Sequence, residues 1–382
     1  MSTKQSLLRE GLNFVPKILS YKFARAMGQP AMLPISLTVS VTNMCNSRCK
    51  TCFLWKIYQE KPDLKQKEFK TWEFEKTFKS IDSKIFWVTM SGGEPFLRSD
   101  LPEICRSFTE YCSPKIINIP TNSLLPSVVE DKTKKILERC IGPNLVINLS
   151  LDGIDKLHDE IRNIRGNFKL FLETYQRLSQ LKSDFPNLQI GVHSVVSKFS
   201  INSLMDVYEF SKEIGADSYI TEVAEQRTEL FNTNEDITPD AENYAEFINK
   251  LSKRIKTESK NRKGVAKTAQ AFRLIYYQIA SKELKEHKQI IPCYAGIASA
   301  QINPYGDVWP CCVLGYSKSM GNLRDNNYDF KRVWFSNQAR HVRKFIFDGN
   351  CSCPLANAHY TNILCNFTQL TKVLTKTSLT RA

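Results

Sequence analysis

A chain of 382 residues with 42% hydrophobic side chains can bury one large core and a smaller one beside it. No run approaches the roughly 18–20 apolar residues of a membrane-crossing helix, and no short apolar stretch with a small-residue cleavage site follows Met1, so the expected compartment is the cytoplasm. The formal charge of +14 invites an anionic partner without choosing one. With no arginine-rich block or nucleic-acid module in view, it is read as a lysine-rich solvated surface, and no nucleic acid is expected.

Residues 1–34 form a basic amphipathic segment. Leu8, Leu12, Val15, Leu19 and Phe23 fall at helical spacing, and Lys4, Arg9, Lys17, Lys22 and Arg25 face Glu10 alone. Such a segment can lie flat on a membrane, or pack on its own domain through the same stripe; Pro16 is expected to kink it. From Ile35 onward, short β-rich runs alternate with amphipathic ones. "ISLTVSV", "KIFWVTM", "KIINIP", "LVINLSL", "QIGVHSVV" and "DSYITEV" read as strands, while "TWEFEKTFKSI", "KTKKILERC", "FKLFLETYQRLSQL" and "SLMDVYEFSKEI" read as helices. Six strands separated by helices predict an α/β fold, a parallel sheet rolled into a partial (β/α)6 TIM-type barrel over residues 35–230. Chemistry in such folds collects at the carboxyl ends of the strands. There stand "TNMCNSRCKTC", "SGGEP", "TNS" and "DG" with "KLHDEIR".

Twelve cysteines in a reducing compartment read as metal ligands or buried thiols rather than bridges. Cys45, Cys49 and Cys52 crowd one loop, six more run from Cys293 to Cys365, and Cys105, Cys112 and Cys140 sit among apolar neighbours as core residues. For the triplet, a disulfide pair with a spare thiol, a zinc site short of its fourth ligand and a site built for three thiolates are the readings the spacing leaves open.

The triplet Cys45, Cys49, Cys52 with Phe53 behind it, Ser91-Gly92-Gly93-Glu94 after the second strand, and "SLDG" with His158 and Arg162 after the fourth together resemble the radical S-adenosylmethionine (radical SAM) enzymes. The resemblance implies a 4Fe-4S cluster on the triplet whose open iron binds S-adenosylmethionine, reductive cleavage to a 5'-deoxyadenosyl radical, and hydrogen abstraction from a substrate. It also implies a reductant such as ferredoxin or flavodoxin. Gly92 and Gly93 are expected to admit the methionyl part closely, Glu94 to meet its ammonium, and Ser91, Asn122, Ser150 and Asp152 to bind the ribose or carboxylate. Thr51 and Ser123 depart from the family pattern, which more often has an aromatic and a glycine there.

A polar, basic stretch within residues 231–290 reads as a helical connection, and a 371–382 tail ends the chain. Between them, residues 291–370 resemble the auxiliary-cluster domain called SPASM, or its shorter twitch form: Cys293, twelve residues, Gly306, four residues, Cys311, then "MGNLRD" and "GNCSCP". "INPYGDVWPC" predicts a β-hairpin turning at Pro304 to Asp307. Cys351 and Cys353 have one residue between them, so one auxiliary 4Fe-4S cluster is expected, on Cys293, Cys311, Cys351 and Cys353. Cys365 is the substitute, Cys312 an unliganded neighbour, and zinc the competing metal.

No catalytic residue is assigned; His193, Glu222 and Glu225 are acid–base candidates. Because only about 35 residues precede the first strand, the favoured substrate is a small molecule, saccharide or lipid-linked compound. The alternatives are a peptide- or protein-modifying enzyme and a non-catalytic iron-sulfur protein.

Overall fold

The computed structural model describes residues 3–28, 32–258 and 264–378. Helix α1 (Thr3–Met27) runs through Pro16 and precedes six strands: β1 (Ser36–Thr42), β2 (Trp87–Gly92), β3 (Ile116–Thr121), β4 (Asn144–Ser150), β5 (Leu188–Val196) and β6 (Ser218–Val223). The crossovers are α2 (Ile57–Glu60), α3 (Asp63–Gln66), α4 (Thr71–Ile81), α5 (Leu101–Cys112), α6 (Pro126–Arg139), α7 (Lys156–Arg162), α8 (Asn167–Leu181) and α9 (Leu204–Glu213). Then follow α10 (Ala241–Glu258), α11 (Gly264–Glu286), the short strands β7 (Ser299–Ile302), β8 (Asp307–Trp309) and β9 (Gly321–Asn322), and the helices α12 (Phe330–Trp334), α13 (Asn337–Phe347), α14 (Ala356–Cys365) and α15 (Phe367–Ser378).

All six barrel strands pair in parallel, in the order β6-β5-β4-β3-β2-β1. The apolar character of the runs follows from this, since helices and barrel interior cover both faces: Leu37, Val39, Val88, Met90, Ile117, Ile119, Ile147 and Leu149 are fully buried. Helix ends are set locally. Glu73 reaches back from the first turn of α4 to accept from the Lys70 N–H at 2.8 Å, and α4 and α5 stop at Asp82 and Ser113 in left-handed conformation. Cys105, Cys112 and Cys140 are buried in the core beneath these helices.

The predicted hairpin is present, with its turn between β7 and β8 and Gly306 at φ +89°. It also does something the sequence does not advertise. β7 pairs in parallel with β1 over Ser36–Val39, so β7, β8 and β9 continue the barrel sheet into nine strands. The auxiliary segment is thus bonded to the strand that carries the cysteine triplet.

The N-terminal stripe takes an unexpected side. Ile18, Tyr21 and Ala24 form the buried face of α1, Tyr21 and Ala24 clustering with Tyr294, Ile297 and Cys365, while Val15, Leu19 and Phe23 point outward. Leu8 and Leu12 lie outside the described side chains. Among the described residues, no helix is long and apolar enough to cross a membrane.

Candidate active site at the carboxyl rim

The loop after β1 carries Cys45, Cys49 and Cys52 as free thiols. It is held from three sides. Arg48 and Lys50 N–H groups donate to the Arg162 and Ile161 carbonyls at 3.2 and 2.9 Å at the end of α7, and Asn232 Nδ2 donates to Thr51 O at 2.9 Å. From β2, the Gly93 N–H reaches Thr42 O at 2.8 Å and the Glu94 N–H reaches Met44 O at 2.7 Å. A Cβ on Gly92 would lie 2.0 Å from Thr42 O, and one on Gly93 2.3 Å from Met44 O. The close approach that demands glycine here is to the cysteine loop itself.

Behind the loop sits a carboxylate that sequence reasoning missed. Glu68 accepts from Thr42 Oγ1 at 2.8 Å, from the Asn43 N–H at 2.7 Å and from the Tyr58 hydroxyl. Tyr305, at the tip of the auxiliary hairpin, lies 3.3 Å from the Tyr58 hydroxyl and accepts from Asn43 Nδ2 at 3.1 Å. Glu68 falls in the polar run "KQKEFK", where nothing in the pattern separates it from a solvated acid.

The sulfurs face polar donors. Ser47 Oγ lies 3.1 Å from Cys49 Sγ, Arg162 Nη1 donates to Cys49 Sγ at 3.6 Å, and Asn122 Nδ2 to Cys45 Sγ at 3.8 Å. Burial pushes the Cys52 thiol up to about 12, with Cys49 adding to it; Cys45 is pushed higher by burial and by Cys49 and Cys52. Three thiolates so close and so dry require positive charge among them, and iron supplies it, so the residues fit the cluster the motif implies.

The other predicted contacts cluster around the triplet. Glu94 is buried, pushed up to about 7 by desolvation, and its carboxylate already accepts from the Phe96 and Asn122 N–H groups and Thr121 Oγ1. Asn122 also donates to Asn46 at 2.7 Å. Asp152 pairs with Arg162 Nε at 2.8 Å and accepts from the Val195 N–H at 2.7 Å, so it braces the guanidinium beside Cys49. His158 is fully buried, accepts from the Asp152 N–H at 3.1 Å through Nδ1, and is lowered to about 4 by desolvation and by Arg162. Ser91 and Ser150 are half-buried on the same rim, in register with Ser40 and His193. Ser123 has φ +64°, which accounts for glycine being commoner at that place.

Inside the rim, one cavity is lined by Cys49, Cys52, Arg162, Glu222, Glu225 and Arg227. Among the described residues, Glu225 Oε2 and Arg227 Nε are buried without hydrogen-bond partners, and burial pushes Glu225 up to about 7. His193 Nε2 lies 3.7 Å from Glu222 Oε2, and burial lowers the imidazole. Arg227 Nη1 donates to Cys312 Sγ at 3.2 Å. Its position just past β6 was the available signal.

Cys293, Cys311, Cys351 and Cys353 line a second cavity, with Glu283, Gln289, His359 and Asn362. Burial raises all four thiols, and repulsion from Cys293 adds to the rise at Cys311, Cys351 and Cys353. The His359 imidazole lies 2.8 Å from Glu283 Oε2. Cys365 is instead buried with Tyr21 and Tyr294, and Cys312 turns toward Arg227.

A parallel half-barrel with a cysteine-lined rim and a second cysteine cavity beside β1 defines an iron-sulfur enzyme of the α/β partial-barrel class. The family comparisons agree: residues 39–209 match the radical SAM superfamily, and residues 293–354 match the SPASM iron-sulfur cluster-binding domain. The chain is a radical SAM enzyme with a SPASM domain; its cofactors are a 4Fe-4S cluster, S-adenosylmethionine and auxiliary iron-sulfur.

The chain is similar to the antilisterial bacteriocin subtilosin biosynthesis protein AlbA of Bacillus subtilis, 24% identical over 78% of this chain and 59% of AlbA's length. It is also similar to the sporulation killing factor maturation protein SkfB of the same organism, 26% identical over 48% of this chain and 41% of SkfB. A third relative is the AdoMet-dependent heme synthase of Oleidesulfovibrio alaskensis, 24% identical over 85% of this chain and 80% of the synthase. The fold matches Streptococcus suis SuiB bound to precursor peptide SuiA, with TM-score 0.57, 16% identity, 90% of this chain and 73% of SuiB covered.

Proposed function

We propose that this chain modifies a ribosomally made peptide by radical chemistry, in place of the small-molecule, saccharide or lipid-linked substrate favoured by the sequence alone. The observation that carries this reading is the likeness to AlbA over 78% of the chain, a protein named for bacteriocin biosynthesis. SkfB, named for maturation of a killing factor, supports it.

In this reading Cys45, Cys49 and Cys52 hold three irons of the first cluster. When bound, the cluster and S-adenosylmethionine together supply the 5'-deoxyadenosyl radical that takes a hydrogen atom from the substrate. Arg162, braced by Asp152, keeps positive charge against Cys49 Sγ. Asn122 ties Cys45 to Asn46, and Ser91, Gly92, Gly93, Glu94 and Ser150 form the rest of the nucleotide rim. Glu222, Glu225 and Arg227 face the substrate, with Glu225 placed to take a proton. Cys293, Cys311, Cys351 and Cys353 hold the auxiliary cluster.

The test is release of 5'-deoxyadenosine by anaerobically reconstituted protein offered synthetic precursor peptides encoded beside its gene. Peptide-dependent release with a mass change in the peptide supports the reading. Release stimulated by a tetrapyrrole or a nucleotide, with peptides inert, sinks it and leaves family membership intact.

A further inference from the structure

Helix α1 has two apolar faces, and among the described residues only one of them is covered. Ile18, Tyr21 and Ala24 are buried; the Tyr21 hydroxyl donates to Leu33 O at 2.7 Å, and Arg25 Nε donates to Cys293 O at 3.1 Å. The helix is therefore anchored, with its orientation fixed against the auxiliary segment. Val15, Leu19, Phe23 and Met27 recur every four residues on the other side and are 48, 51, 67 and 60% exposed. Four outward apolar side chains in a line on one anchored helix cost solvation with no return inside this chain. Beside them, Lys22 Nζ sits 3.6 Å from the centre of the Phe367 ring, which is itself 45% exposed at the start of α15.

Among the described side chains, Lys17, Lys22 and Arg25 on α1 and Lys372 on α15 put positive charge on this flank, and Asp348 beside Phe347 is paired with Lys344. Arg25 also lies over the exposed Phe347 ring, 4.8 Å from its centre. An apolar line flanked by cations is what a surface of acyl chains beneath phosphates complements.

We propose that this flank docks on an anionic membrane surface, with α1 lying in the interface, Val15, Leu19, Phe23 and Met27 turned toward the acyl chains and the flanking cations at the phosphates. The shape favours a lipid surface over a protein. The line sits on the convex side of one helix, which offers no groove for a peptide. Four side chains also fall short of the roughly 800 Å² per partner that a stable dimer buries. The inference does not depend on the peptide reading, since it concerns where the enzyme works.

The test is flotation of the full-length reconstituted protein with phosphatidylcholine vesicles, with and without phosphatidylglycerol. Binding is expected with the anionic vesicles, weakened by salt, and to be about tenfold weaker on phosphatidylcholine alone. The double substitution Leu19→Ser, Phe23→Ser should reduce it by about tenfold or more. Both positions are exposed, and an unchanged melting temperature and iron content establish that the variant is folded. Should that variant nonetheless misfold, Lys17→Gln with Lys372→Gln gives a second reading, expected to weaken binding on anionic vesicles only. Parent protein that fails to float on either vesicle overturns the proposal. So does binding unaffected by the folded variants, or light scattering showing a parent dimer that Phe23→Ser converts to monomer.

Discussion

Glu68 accepts the Asn43 N–H at 2.7 Å and so fixes the backbone two residues before the first cysteine of the triplet. The carboxylate is buried and also takes the hydroxyls of Thr42 and Tyr58. Glu68→Ala strands three donors, and a loss of about 2–4 kcal/mol is expected in denaturant unfolding. Iron retention at the triplet should fall with it, while Glu68→Gln, which keeps an acceptor, should lose less of both.

Gly92→Ala tests the close packing of β2 on the cysteine loop. The added Cβ meets a backbone oxygen at 2.0 Å, and Gly92 sits at φ +134°. No side chain can swing away to relieve the contact. Destabilisation of about 3 kcal/mol or more is expected, visible as a lowered unfolding midpoint and poor cluster loading.

The assignment of the auxiliary ligands can be read from iron counts. Cys353→Ser should remove the auxiliary cluster, and Cys45, Cys49 and Cys52 changed together to Ala should remove the other. Cys365→Ser and Cys312→Ser should leave iron at the parental level, because the former thiol lies with Tyr21 and Tyr294 and the latter faces Arg227. Iron lost in Cys365→Ser would reassign the fourth ligand.

His158 links folding to pH. Its folded value is lowered from 6.5 to about 4, so between these values the unfolded chain binds the proton and the folded chain does not. This contribution is complete above about pH 6.5 and is lost as pH falls toward 4, about 3 kcal/mol in all. Stability curves of the parent and of His158→Gln at pH 7 and 4.5 should therefore differ in slope, the variant being the flatter of the two.

Ser123 carries a positive φ that glycine adopts without a steric cost. Ser123→Gly is expected to leave the Thr174 contact to its carbonyl intact and to change stability by about 1 kcal/mol or less, in the stabilising direction. Thermal unfolding measures it.

Much of the barrel could be read directly. Each of the six strand runs overlaps its observed strand closely, because parallel strands covered on both faces must be almost continuously apolar, and helix 71–81 carries its apolar spacing on its face. The rim rule pointed to the triplet, Gly-Gly-Glu and Asp152, and the structure brings these side chains to one end of the barrel. What stayed hidden depends on tertiary partners. Glu68 becomes a keystone only once β1, Tyr58 and the hairpin tip meet around it. The extension of the sheet through β7 depends on which edge of the barrel was left unpaired. The outward turn of Val15, Leu19 and Phe23 follows from Tyr21 and Ala24 having a prepared seat on Tyr294 and Ile297, and periodicity cannot choose between two apolar faces of one helix.

β7 is laced to β1 over four consecutive residues, and Tyr305 at the adjoining tip reaches the loop leading into Cys45. The loops that would hold the two clusters are consequently moored to one continuous sheet, and any swing of one lobe past the other would have to break the β1–β7 ladder.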